Sequence, residues 1–393
     1  MMSDGSTGPT MCISPPQMRR TVGLVGVRAV SVALLGGLSI AVLAACSHND
    51  DHATSSKAED VSPTSVPSTS MPAGSTRELA LPGPGVTDLV VSGQSEAPSI
   101  AGLSGGKMVV GSVSAWTDGT PTVVDLADNC QDLSRAADGG YSVACQDHVL
   151  VFDEHGIKTR DIHLDGTATT AVVTKDVASV TLAGEKKVKY FSLKDTDQGG
   201  ETTVPIGEGA AQSLLVDPDA SSGKTKEMAA IFDKKQSSLT GVYPGENKQG
   251  SSLRIGQGAG KIAGGQNGVV VASSTALDSL EVFTADDILR KHQTIHTDST
   301  PWGVAWDAAT RTVWVTSTGK NTVTGYDISS GVPIKVATMS TIADAQSVVV
   351  DSDGGLLIAS PQSLIVQHVP KEQIDKARSD ASHKSSYAVK KES

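Results

Sequence analysis

Three short stretches of this chain repeat one another. AQSLLVDPD begins at Ala211, PWGVAWDAA at Pro301 and AQSVVVDSD at Ala345. The last two lie about 44 residues apart, and the first lies three such steps before the last. A period of that length restricts a chain to copies of one supersecondary unit packed side by side, because no single copy can bury its apolar face alone. Fainter copies fill the gaps: APSIAGLSGGK near Ala97, DLSRAADGG around Asp132, TATTAVVTKD near Thr167 and GKIAGGQNG near Gly260. Seven starts result, near 97, 130, 168, 211, 259, 301 and 345.

The unit from Pro301 shows what is repeated. Val304-Ala305-Trp306, Val313–Thr316, Val323–Asp327 and Ile334–Met339 alternate apolar and polar residues, and short polar turns separate them. Four such runs make an antiparallel meander. A four-stranded meander at this period is the blade of a β-propeller. We therefore expect an all-β, seven-bladed propeller of four-stranded antiparallel blades over residues 77–370. The composition agrees: 40 Gly with only 4 Trp, 5 Tyr and 4 Phe suits pleated sheets packed face to face better than a helical bundle. In the last unit only Ser347–Val350, Leu356–Ile358 and Ser363–His368 read as strands. The missing outer strand is expected from Arg77–Leu81 or Asp88–Val91, which would close the ring and remove a sheet edge. The remaining tail, 371–393, reads as a short helix from Glu372 to Arg378 followed by a solvated Ser/Lys-rich terminus.

PWGVAWD, VWVT and NTVTGYD in the unit 301–327 resemble the YVTN/NHL-type propeller repeats of bacterial extracytoplasmic proteins. The resemblance is good over 301–360, fair over 205–300 and mainly positional over 97–204. It implies a ring of seven blades and carries no catalytic residue set.

Residues 18–46, MRRTVGLVGVRAVSVALLGGLSIAVLAAC, have a basic start, an uncharged run from Ala29 to Ala45 and small residues at the end. This is the pattern of a secretory signal over 1–45, with Met18 the more ordinary start. Leu43-Ala44-Ala45-Cys46 resembles the bacterial lipobox, which implies cleavage before Cys46 and a diacylglyceryl group on its sulfur. The whole chain then resembles an actinobacterial lipid-anchored propeller lipoprotein, placed at the outer face of the cytoplasmic membrane. Two acyl chains give stable anchoring where one is marginal. An uncleaved transmembrane helix fits less well, since the run is short and contains Gly and Ser. Arg19-Arg20 leaves twin-arginine export open beside the general route. Half of the residues in 47–76 are Ser, Thr or Pro, so with Cys46 this segment, 46–76, reads as a lipidated, disordered tether that could carry sugars.

Candidate chemistry is sparse. Cys130 and Cys145 flank Asp138-Gly139-Gly140, so a hairpin through that turn would bring them together, and export permits a disulfide. No His or Cys cluster with ligand spacing surrounds them. His292 and His296 have helix-like ligand spacing, but Val282 to Thr297 reads as turn and outer strand. His148, His155, His163, His292, His296, His368 and His383 all fall outside the starts of the innermost strands, where a central metal would be held. They read as structural or surface residues, and no metal or cofactor is expected. Walker and G-x-G-x-x-G motifs are missing from the sequence, and the Asp pairs Asp217/Asp219 and Asp351/Asp353 read as turn residues. By alignment of the repeats, Asp132, Thr169, Gln212, Trp302 and Gln346 form one rim of the central channel. Trp302 stands out as an anchor for a partner, against the plainer role of packing between blades, like Trp306 and Trp314. An acidic balance, 43 Asp+Glu against 32 Lys+Arg, disfavours nucleic acid. The expectation is a monomeric ring that binds a protein or envelope polymer and is not an enzyme. A propeller hydrolase, lyase or quinoprotein-like oxidoreductase, or a receptor for a small ligand, is the competing reading.

Overall fold

Each repeat folds into one four-stranded antiparallel sheet, and seven such sheets form the ring. The computed structural model describes residues 61–391 apart from 94–96, 128, 195–201, 219–222, 224–225 and 286. The signal segment 1–45, the alternative start Met18, the lipidation candidate Cys46 and the first part of the tether lie outside the described residues, as does Asp219. The innermost strands of blades 1 to 7 are Asp88–Val91, Cys130–Arg135, Ala168–Val173, Ala210–Val216, Ala259–Gly264, Pro301–Asp307 and Ser347–Val350. We call the face at which these strands begin the upper face.

Six of the seven starts agree with the repeat alignment, and the first does not. Residues near Ala97 lead into the second strand of blade 1, Ile100–Leu103, while its innermost strand is Asp88–Val91. Asp88–Val91 is therefore not the ring-closing strand. That role falls to Ser75–Glu78, which pairs antiparallel with Ser363–Val369 at the outer edge of blade 7. Arg77 fastens the closure by donating to the carbonyl of Ala115 at 3.1 Å in α1, Val113–Thr117, of blade 1. Ser112 caps that helix by accepting from the Ala115 amide. The helix buries Trp116, whose Nε1 donates to the Ile100 carbonyl at 3.0 Å.

The core is divided among the seams. Among the described residues there is one apolar cluster between each pair of neighbouring blades. Phe232 and Leu239 of blade 4, for example, meet Ile262, Val270 and Phe283 of blade 5. Leu357 of blade 7 meets Leu89, Ile100 and Trp116 of blade 1. Each fully buried Leu, Ile, Val or Phe contributes about 1.5–3 kcal/mol, so the ring is held by repeated small wedges in place of one central core. Bulky residues fit only where a neighbour gives way. A Cβ at Gly325 would come within 2.7 Å of the Trp314 ring, so glycine there makes room for the indole on the adjacent strand.

Two segments expected to be free are not. Residues 61–74 of the tether run along the upper face of blades 5 to 7. Val61 packs at Gly258, the Val66 carbonyl accepts from Asn321 at 2.9 Å, and the Ala73 amide donates to the Ser340 carbonyl at 2.9 Å. The C-terminal segment is a helix, α2, over Lys371–Lys391, longer than the expected turn or two. Its Ile374 is buried in the seam between blades 6 and 7, and Arg378 lies 5.7 Å over the Trp314 ring while donating to Thr312 Oγ1 at 2.8 Å. The helix docks because its apolar positions, Ile374 and Ala377, meet a seam that the last blade leaves partly open.

Candidate functional site

The inner strands surround an axial cavity of about 150 Å³ lined by blades 1, 2, 4, 5, 6 and 7. Blade 3 does not reach it. Its inner strand is withdrawn, with Thr170, Ala171 and Val172 fully buried, and blades 2 and 4 meet in front of it. Ser134 Oγ of blade 2 donates to the Ser213 carbonyl of blade 4 at 2.6 Å.

Asp132 fastens this arrangement from the upper side. Its Oδ2 accepts from Ser213 Oγ at 2.6 Å and from the Ala171 amide at 3.2 Å, and its Oδ1 accepts from the Ser213 amide at 3.3 Å. One carboxyl group thus joins three blades. It is 1% exposed, and burial pushes its pKa from 3.8 up to about 7, helped by the nearby charge of Asp88 and opposed by the hydrogen bonds it receives. On the lower side Arg135 Nη2 and Asp217 Oδ2 form an ion pair at 2.5 Å, again between blades 2 and 4.

The upper mouth is crossed by Lys261. From blade 5 its ammonium donates to the Thr87 carbonyl at 2.6 Å, Asp88 Oδ1 at 2.9 Å and Ser347 Oγ at 2.9 Å, in blades 1 and 7. Blade 6 offers no side chain in the way, because the corresponding residue is Gly303, where a Cβ would sit 2.9 Å from the Gln346 carbonyl oxygen. All three donors of the ammonium are spent inside the protein.

The five expected rim residues sit at the starts of inner strands, but their side chains are engaged. Asp132 is the buried clamp, not an exposed rim group. Gln212 Oε1 accepts from the Ile262 amide at 3.0 Å, tying blade 4 to blade 5. Thr169 shares a hydrogen bond with Thr181 Oγ1 at 2.7 Å. Gln346 Nε2 donates to both oxygens of Asp344 at 3.0 Å. Trp302 is 6% exposed and lies between blades, with the Lys234 ammonium 5.8 Å from the ring centre. Burial places it with Trp306 and Trp314 as a packing residue. Its indole N–H is buried with no hydrogen-bond partner.

The cysteines form a disulfide. Cys130 and Cys145 are cross-strand partners in blade 2, and their sulfurs are bonded. Repeat alignment overlooked three groups: Asp88, because the start of blade 1 was misplaced, Lys261, whose partner Asp88 is, and the surface trio Asp147, His148 and His163. His148 begins the third strand of blade 2 and pairs in register with His163 at the end of the fourth. That pairing is legible only once both strands and their turn are fixed.

No protein-family model matches the sequence, and no curated protein matches it. Solved structures do match in shape. A structure of U3-55K aligns with a TM-score of 0.58 at 13% identity, covering 76% of this chain and 100% of that one. Streptogramin B lyase aligns at 0.55 and 9% identity, covering 75% and 96%. The β-propeller domain of Cps50 (Swd1) from Myceliophteria thermophila aligns at 0.55 and 11%, covering 75% and 99%. At such identities the likeness is one of fold, and it agrees with the seven sheets described above: this chain is a seven-bladed β-propeller.

Proposed function

We propose that the chain is an extracytoplasmic lipoprotein whose propeller is a docking platform for a protein or an envelope polymer. The observation that carries the reading is the state of the channel. Asp88, Asp132, Arg135 and Lys261 are committed to one another or to neighbouring blades, and the cavity of about 150 Å³ is smaller than the ~300–1,000 Å³ of ordinary ligand sites. No group of that set is left over for acid–base work on a substrate, so the outer faces of the ring are the surfaces on offer. Of the propellers of like shape, streptogramin B lyase is by its name an enzyme, which is the competing reading. The engaged channel groups favour the platform.

The tether adds an orientation. With a lipid on Cys46, the chain up to Val61 spans at most about 50 Å. Residues 61–74 are bound along the upper face, so the point of attachment of such a tether is on that face and the lower face is free of it. Partners that cannot approach the bilayer would meet the lower face and the rims of the blades.

Membrane fractionation of wild type and Cys46→Ala tests the anchor, with the variant expected in the soluble fraction. Continued retention in the membrane contradicts the anchor. Crosslinking in intact cells, with photoreactive groups placed on the lower face, tests the platform. One discrete crosslinked species is expected, and a lower face that crosslinks to nothing at any of several positions rejects it.

A further inference from the structure

We propose that Asp147, His148 and His163 form a binding site for one divalent transition metal ion of the Zn2+ type, on the upper face at the outer half of blade 2. The candidate ligand atoms of the three side chains all lie within 4.8 Å of one another. His148 Nε2 is 3.5 Å from Asp147 Oδ1, and His163 Nδ1 is 3.8 Å from Asp147 Oδ2. Two ligand atoms each ~2.1 Å from a tetrahedral ion are separated by about 3.4 Å, so the trio closes on an ion by side-chain shifts of at most about 1.4 Å. Imidazole nitrogen with one carboxylate oxygen selects Zn2+, Ni2+ or Cu2+ over Mg2+ and Ca2+, which prefer oxygen shells.

A carboxylate behind the His148 imidazole supports the trio. His148 Nδ1 is 2.6 Å from Asp161 Oδ1, and Lys158 Nζ is 2.9 Å from Asp161 Oδ2. With one oxygen on the Lys158 ammonium, the Asp161 carboxylate offers the other to the Nδ1 proton of His148. That fixes the tautomer in which Nε2 presents its lone pair toward Asp147. A carboxylate behind a ligating imidazole is the arrangement that orients metal-binding histidines and raises their basicity. The two rings stand edge to face with centroids 5.1 Å apart, so neither blocks the space between them.

The backbone beneath is held independently of any ion. Asp147 sits in the two-residue turn between Cys145 and His148, which are register partners, and Cys145 is bonded to Cys130. The Asp147 carbonyl accepts from the Leu164 amide at 2.8 Å, tying the turn to the chain just beyond His163. Three protein ligands on an open surface leave a fourth position to water or to a side chain from a partner. The site therefore suits reversible binding rather than a permanent structural ion.

Calorimetric titration of the metal-stripped protein with Zn2+ at neutral pH tests the assignment. One equivalent is expected to bind in the micromolar range, with His148→Ala and His163→Ala each weakening it at least tenfold. Asp161→Asn, which leaves all three ligands in place, is expected to weaken it about tenfold through loss of the carboxylate behind His148. His155→Ala and His296→Ala are expected to leave it unchanged. His163 is 64% exposed, so its removal leaves the fold intact, and a thermal melt of the metal-free variant checks this. Failure to bind a stoichiometric ion overturns the proposal, as does binding that survives the combined His148→Ala/His163→Ala substitution.

Discussion

The clamp at Asp132 makes the ring sensitive to pH in an unusual direction. Its carboxyl titrates near 3.8 when the chain is unfolded and near 7 in the ring. Between those values the folded protein binds a proton that the unfolded chain has released, so stability from this group is complete below pH 3.8 and is lost as pH rises to about 7. At about 1.4 kcal/mol per pH unit, the loss across the window is on the order of 4 kcal/mol. The proton has a place to go: Ser213 Oγ, 2.6 Å from Oδ2, can accept from the neutral acid. Asp132→Asn keeps the shape and removes the titration, losing one acceptor and about 1–3 kcal/mol where the Ser213 amide is left unmatched. Urea unfolding followed by tryptophan fluorescence at half-unit steps from pH 4.5 to 8.5 reads both effects. The advantage of wild type over Asp132→Asn is expected to shrink by about 3 kcal/mol from pH 4.5 to about 7, enough to bring the curves together or past each other, and to stay level above that. Glu227 and Asp344 are also raised by burial and titrate in both proteins, so only the difference belongs to Asp132. Parallel curves for the two proteins would refute the reasoning.

Three further outcomes follow from the same geometry. Cys130→Ser/Cys145→Ser opens a loop with a sequence separation of 15, and a stability loss of about 3 kcal/mol is expected in urea; free thiols in the denatured wild-type protein would contradict the bridge. Lys261→Met strands Asp88, whose side chain is 13% exposed, and is expected to lower stability by about 3 kcal/mol, with Asp88→Asn restoring most of it; no recovery in the double variant rejects the cross-channel pair. Deleting residues 61–78 bares the edge of Ser363–Val369, and association visible by size-exclusion chromatography is expected; a monomer with an unchanged melt counts against ring closure by this strand.

Strand placement was most legible where the repeats are richest. The blade from Pro301 has β-branched and aromatic residues on alternate positions and Asp at its turns, and its four strands fall within three residues of the expected bounds. Blade 1 was misplaced because DLVV is short and is followed by a long connection, so the period was anchored one strand too late. Asp132, Thr169, Gln212, Trp302 and Gln346 lie at or next to the first residues of their inner strands. Whether a side chain there meets solvent depends on how far each blade stands from the axis. The withdrawal of blade 3, which buries Asp132, arises from contacts between blades 2 and 4 that no local pattern encodes. The histidine trio depends likewise on the register of two strands and a turn of two residues.

The join between Ser75–Glu78 and Ser363–Val369 also sets a timetable. Ala73 and Gln367 are hydrogen-bonded across 294 positions of sequence. A chain made or threaded from its N-terminus produces the first half of that join at the outset and the second half nearly last. Six blades can stack as they emerge, but Ser75–Glu78 stays unpaired, blade 7 stays incomplete and its seam with blade 1 stays open until Ser363–Val369 arrives. Local meanders form quickly, whereas closing a loop this long is the slow step. During that interval the unpaired edge is the part of the molecule most exposed to wrong partners, which makes the last few residues of the ring a checkpoint on whether the whole chain was completed.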